Sequence, residues 1–164
     1  MSTPTLLPDI DSEDDEFYLV KLMDKALDAV VNVYENAGVS LPPRRLWVMA
    51  GVAADCEQLT ISLIQAYHGT PGEQIGTPTR CDGARTYTIA IKVLRCIPTI
   101  EDDGSAPTPN QIQTAAARQA VDMWLLMDSV PDIIDGAPAI STVDAGGAEG
   151  GFQGVTLTLT VQVM

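Results

Sequence analysis

Chemistry in this chain would have to come from few residues. The nucleophile candidates are Cys56, Cys81 and Cys96, and the one imidazole base is His68. A thiol enzyme needs a base beside its sulfur and a third group to orient that base. The spacing permits a Cys56–His68 pair, but no flanking motif marks it, and the G-x-S-x-G elbow of serine hydrolases is missing. Zinc favours closely spaced ligands such as C-x2-C. The three cysteines lie 25 and 15 positions apart, which is not ligand spacing. The acidic run DIDSEDDEF fails as an EF-hand, because the sixth and twelfth positions counted from Asp9 hold Asp14 and Val20 where Gly and Glu are required. GTPGEQIG lacks the G-x-G-x-x-G spacing and a following Lys-Ser/Thr. The Gly151–Gly154 stretch (GFQG) has the GXXG form of a KH loop, but no basic flank. No catalytic residue, metal site or cofactor is expected.

The remaining charged positions point to contacts. Arg44 and Arg45 follow two prolines, and Arg80 and Arg85 bracket a long loop. Each pair suits acids of an adjoining subunit better than phosphate.

The elements that position these residues follow from periodicity. Residues 17–37 carry Val20, Met23, Leu27, Val30 and Tyr34 on one helical stripe, with Gly38 as the stop. Three strands are expected at 46–50, 57–67 and 85–97. In the second, Leu59, Ile61 and Leu63 face inward and Gln58, Thr60 and Ser62 outward. In the third, Tyr87, Ile89, Ile91 and Val93 face inward. Both alternations slip, at Leu63-Ile64 and Val93-Leu94, the mark of a bulge or a strand end. Paired antiparallel, these strands set Cys56 opposite Cys96, either as two buried thiols or as a disulfide formed outside a reducing cell.

Thr108-Pro109-Asn110-Gln111 fits a capping box opening a second helix that runs to about Val130, before Pro131. Its half AVDMWLLM is apolar almost all round, with Asp122 alone interrupting. Such a helix has to be covered on more than one side, by the sheet and by a second helix or a neighbouring chain. Residues 131–151 read as a Gly-rich loop with a short strand at 139–144. Residues 155–163 alternate cleanly. The outward sheet face, rich in Thr, Ser and Gln, is either a solvated surface or the lining of a hydrated interface or channel between subunits.

The expected fold is α+β: one domain over 16–164, preceded by an acidic arm at 1–15. About five largely antiparallel strands carry two helices on one face. With 164 residues, 46% hydrophobic and only 19% charged, a full core is expected, and some surface is left for other subunits to cover. Twenty-two acids against nine bases give a net charge of −13, without the Lys/Arg cluster that nucleic-acid binding requires. An anionic membrane would repel such a chain, and no stretch is apolar enough to span one. The N-terminus is unlike a secretory signal, so folding in a cytoplasm is expected.

Taken together, the helix ending in YENAGVSLPPRR, then DCEQLTISLIQ, TRCDGARTYTIAIKVLRC, AAARQAVDMWLLMD and GGFQGVTLTLTVQV resemble tail terminator proteins of long-tailed (siphovirus-type) bacteriophages, most of all those of actinobacteriophages. The resemblance spans about residues 17–164 and rests on structural rather than catalytic motifs. It implies a virion protein that forms a ring, commonly of six copies, on the head-proximal end of the tail tube. There it would stop tube polymerisation, meet the major tail tube protein and the head–tail connector or stopper protein, and let genomic DNA pass without sequence-specific binding. Candidate subunit, tube or connector contacts are Arg44, Arg45, His68, Glu73, Arg80, Arg85 and Trp124, with the loop 68–84 and the arm. A stopper or adaptor of the same neck is the alternative within the class. A thiol enzyme and a host-directed regulatory protein are the alternatives outside it.

Overall fold

A computed structural model describes residues 18–51, 57–71, 85–100, 104–147 and 150–163. In chain order the elements are α1 (Tyr18–Ala37), β1 (Arg44–Val48), β2 (Gln58–His68), β3 (Arg85–Cys96), α2 (Pro109–Ile134), β4 (Ala139–Ala145) and β5 (Phe152–Val163). The architecture is α+β. One five-stranded sheet has the order β1-β2-β3-β5-β4, antiparallel throughout except that β1 runs parallel to β2. Both helices lie on one face, over a core of Leu59, Ile61, Ile89, Ile91, Leu157 and Leu159 from the strands, and Met23, Val30, Tyr34 and Leu126 from the helices.

Helix α1 ends as its glycine requires. Gly38 takes φ +66°, Val39 N–H bonds the Tyr34 carbonyl and Gly38 N–H that of Glu35, which together make a Schellman motif. Helix α2 opens on the expected capping box. Gln111 N–H bonds the Thr108 hydroxyl, the Gln111 side chain accepts from Thr108 N–H at 2.8 Å, and Pro109 follows the cap.

The helix then departs from expectation, running through Pro131 to Ile134. A proline there forfeits one backbone bond, but only one helical turn remains, and that turn buries Ile133 in the core. Residues 131–134 of the expected loop are therefore the last turn of α2, while the short strand expected at 139–144 is present as β4 (Ala139–Ala145).

Three further expectations are corrected. The first strand begins at Arg44 rather than at 46 and ends at Val48. As an edge strand it tolerates two arginines, and Arg45 Nε donates to the Pro42 carbonyl at 3.0 Å. A bulge interrupts β2 between Leu63 and Gln65, as the slip in alternation indicates, but β3 carries none. Its register with β5 continues to Cys96 opposite Phe152, because Gly154 leaves room for Leu94. Finally, the outward polar row is partly buried: Gln58, Thr60, Thr86 and Thr88 are all inaccessible. Their groups bond locally, Gln58 Nε2 to Thr60, the Thr86 hydroxyl to the Gly69 carbonyl, and the Thr88 hydroxyl with that of Thr160 at 3.0 Å.

Candidate assembly surfaces and a buried ion-pair network

The expected contact residues do not converge. Arg44 and Arg45 open β1 opposite Gln58 and Leu59, at one end of the sheet. His68 and Arg85 face each other at the other end, beside Val163. The run of β2 between them is roughly 30 Å long. All four side chains are exposed. Glu73, Arg80 and Cys56 lie outside the described residues, as does the arm at 1–15. The Cys56–Cys96 pairing is therefore not seen, although residues 58–63 of β2 and 89–94 of β3 keep the register that it assumed. Cys96 ends β3 as an exposed thiol, at the opposite end of the β2–β3 pair from His68, so these two form no dyad.

Trp124 stands on the outer surface of α2. The helix buries Asp122, Leu125, Leu126, Ser129 and Ile133. At ~100° per residue, Trp124 lies ~200° around the helix from Asp122 and points away from α1. It is 68% exposed, and Val121 and Met127 beside it are 42% and 54% exposed. The apolar half of α2 is thus covered on two sides, by α1 and by the sheet, and uncovered on a third.

Opposite that ridge lies the one buried cluster of charged side chains among the described residues. Arg95, 2% exposed, reaches from β3 to Asp122 of α2, 1% exposed, in a side-on fork with Nε to Oδ2 at 3.0 Å and Nη2 to Oδ1 at 2.9 Å. Tyr34 of α1 donates its hydroxyl to Asp122 Oδ1 at 2.8 Å. Nη2 also donates to the Ser40 carbonyl at 2.9 Å and Nη1 to Glu57 Oε2 at 3.0 Å. Glu57 has φ +55°, a left-handed conformation costly for a side chain with a Cβ. Its carboxylate lies between Arg95 and Arg118, the latter at 3.5 Å.

Burial, then the charge and hydrogen bond of Asp122, hold the Tyr34 phenol far above its ordinary range. Burial works against the Arg95 charge, but hydrogen bonds and charge from Asp122 and then Glu57 outweigh it, and the guanidinium is held above its ordinary value. The network ties β3, both helices and the α1–β1 connection together.

Sequence reasoning missed this network, although its signal was present. Arg95 has the inward parity of Ile89, Ile91 and Val93, and an acid in an apolar helix segment has to find a partner. No group of three or more His, Cys, Asp or Glu side chains among the described residues could hold a metal ion, and no described helix is long and apolar enough to cross a membrane. No protein-family model matches the sequence, and no curated protein matches it.

Proposed function

We propose that this chain is a structural subunit of a bacteriophage particle: a tail terminator that assembles as a ring, of six copies in the form the family resemblance implies, on the head-proximal end of a long tail. In that position it halts tube growth, docks to the head–tail connector, and leaves a passage for DNA. It makes and breaks no bonds.

The observation that carries the proposal is the outer ridge of α2. Val121, Trp124 and Met127 stand in water on a domain whose core closes without them. Large side chains contribute about 1.5–3 kcal/mol each when buried from full exposure, and these three keep about half of their surface in water, so a neighbour covering the ridge gains about 2.5–5 kcal/mol per subunit before the cost of ordering the interface. The charge-poor composition supports the same reading, since it leaves less surface committed to water. The net charge of −13 favours a wall along which phosphate slides and does not bind.

A phage lacking this chain tests the role. A missing terminator gives tails of abnormal length. Finished tails of normal length on heads that leak DNA would assign the chain to the stopper position instead. Particles assembled normally without it would refute a structural role.

A further inference from the structure

The sheet has two ends to its strand order. Among the described residues, β1 and β4 each pair on one side only, β1 with β2 and β4 with β5. A single-sided edge strand offers a row of backbone donors and acceptors to another strand, and proteins that must stay apart blunt such edges with Lys, Pro or bulges. Strand β4, AISTVDA, contains none of these devices and only one charge.

The directions of the strands decide how two copies could meet. Strand β1 runs parallel to β2, β3 runs against β2, β5 against β3, and β4 against β5. Hence β1 and β4 point in opposite directions. If a second copy continues the sheet with the same face outward, its β1 falls beside β4 of the first in antiparallel pairing. This contact is head-to-tail, the kind that closes into a ring.

The residue types then select the register. Arg44, Leu46 and Val48 share the sheet face turned away from the helices with Gln58, Thr60 and Ser62, and Ile140, Thr142 and Asp144 share that same face with Thr160, Thr158 and Thr156. Arg44 and Asp144 also lie at the same end of the sheet. Through the ladders, the row of Arg44 continues through Gln58 and Leu94 to Gly154, and Asp144 stands opposite Thr156, two residues further along β5. A stagger of two residues, about 7 Å, brings the two charges together. In that register Val48 lies against Ile140, which is 49% exposed, Leu46 lies against Thr142, and Arg45 lies against Val143 on the helix side.

We propose that copies of this chain join edge to edge, β1 of one adding antiparallel to β4 of the next, with Arg44 of one copy facing Asp144 of its neighbour. The inference rests on the ring reading above and gives that ring its seam. Each seam adds backbone hydrogen bonds, one opposite-charge pair and an apolar contact at Ile140.

Charge reversal tests it. Arg44→Asp and Asp144→Arg, each in the full chain, are followed by sedimentation velocity over a range of concentrations, and by recovery of the chain in particles grown with that variant as the sole copy. Circular dichroism verifies that each variant is folded. Each single reversal is expected to weaken self-association about ten-fold or more, and the two together to restore it. In parallel, Leu46→Cys combined with Thr142→Cys is expected to give a ladder of covalent oligomers on oxidation that neither single variant gives.

Folded single variants that assemble like the parent, or a double variant that does not recover, would overturn the seam. If rings form in every variant and no ladder appears, the ring stands and its contact lies elsewhere. A parent chain that stays monomeric both in solution and in particles would overturn ring and seam alike.

Discussion

Replacing Arg95 by methionine removes the cation that neutralises Asp122 while leaving a side chain of comparable reach in the core. Asp122 is 1% exposed and would keep one partner, the Tyr34 hydroxyl, after losing both bonds from the guanidinium. The Ser40 carbonyl would also lose a donor. Glu57 is part-exposed, and water can take over part of its solvation, so its loss adds little. Breaking a buried pair by removing one partner costs about 3–5 kcal/mol, because the other charge is left uncompensated. Against the ~5–15 kcal/mol that holds an ordinary domain together, this is a large fraction, and at ~2–4 °C per kcal/mol it lowers Tm by roughly 6–20 °C. Urea titration followed by far-ultraviolet circular dichroism and by the fluorescence of Trp47 and Trp124 gives the free energy directly. The double variant Arg95→Met with Asp122→Leu removes both charges and is expected to recover at least ~2 kcal/mol relative to the sum of the single losses. A single variant within about 1 kcal/mol of the parent would show that Asp122 is stabilised without Arg95, and losses that simply add would show that the two charges are not coupled.

Three further outcomes follow from the same structure. The Tyr34 phenol is held protonated in the fold, so the folded state binds more protons than the unfolded chain once pH passes the ordinary tyrosine value near 10. Stability is therefore complete below that value and falls above it. Urea midpoints measured from pH 8 to 11 should fall less steeply for Tyr34→Phe than for the parent, and equal slopes would contradict the assignment. Gly154→Ala places a Cβ 2.7 Å from Leu94 Cδ2 and 3.1 Å from the Val93 carbonyl oxygen, and is expected to cost about 1–3 kcal/mol by thermal melting; an unchanged Tm would show that β3 and β5 yield there. Trp124→Glu should leave folding stability within about 0.5 kcal/mol, since its side chain is exposed, while abolishing assembly measured by sedimentation. A fully assembling variant would show that the α2 ridge takes no part in assembly.

Much of the fold was legible because its signals are local. The capping box at Thr108–Gln111, the glycine stop at Gly38 and the alternation of Val155 to Val161 each depend on neighbours in sequence, and each appears where the residues indicate. What escaped depends on distant parts of the chain. Arg44 and Arg45 after two prolines look like a loop until β2 supplies a partner strand. Pro131 looks like a helix end until the burial of Ile133 outweighs the lost bond. Arg95 follows an apolar run as a basic flank would, and only the packing of α2 on β3 shows that it faces Asp122. Thr60, Thr86 and Thr88 have the polarity of a wet face, and their burial reflects bonds between groups far apart in the chain as well as near ones. The candidate contact residues were the least legible. Arg44, His68 and Trp124 are exposed side chains on separate surfaces, and what such surfaces meet is written in another molecule or another copy.

Electron cryo-microscopy of purified particles, with the density of this domain traced along the neck and tail, decides whether the chain caps a tail. A tail terminator should give one closed ring of copies at the upper end of the tail tube, with α2 ridges and sheet edges buried between neighbours. A chain found in a single copy, placed elsewhere in the particle or missing from it altogether would rule out that role.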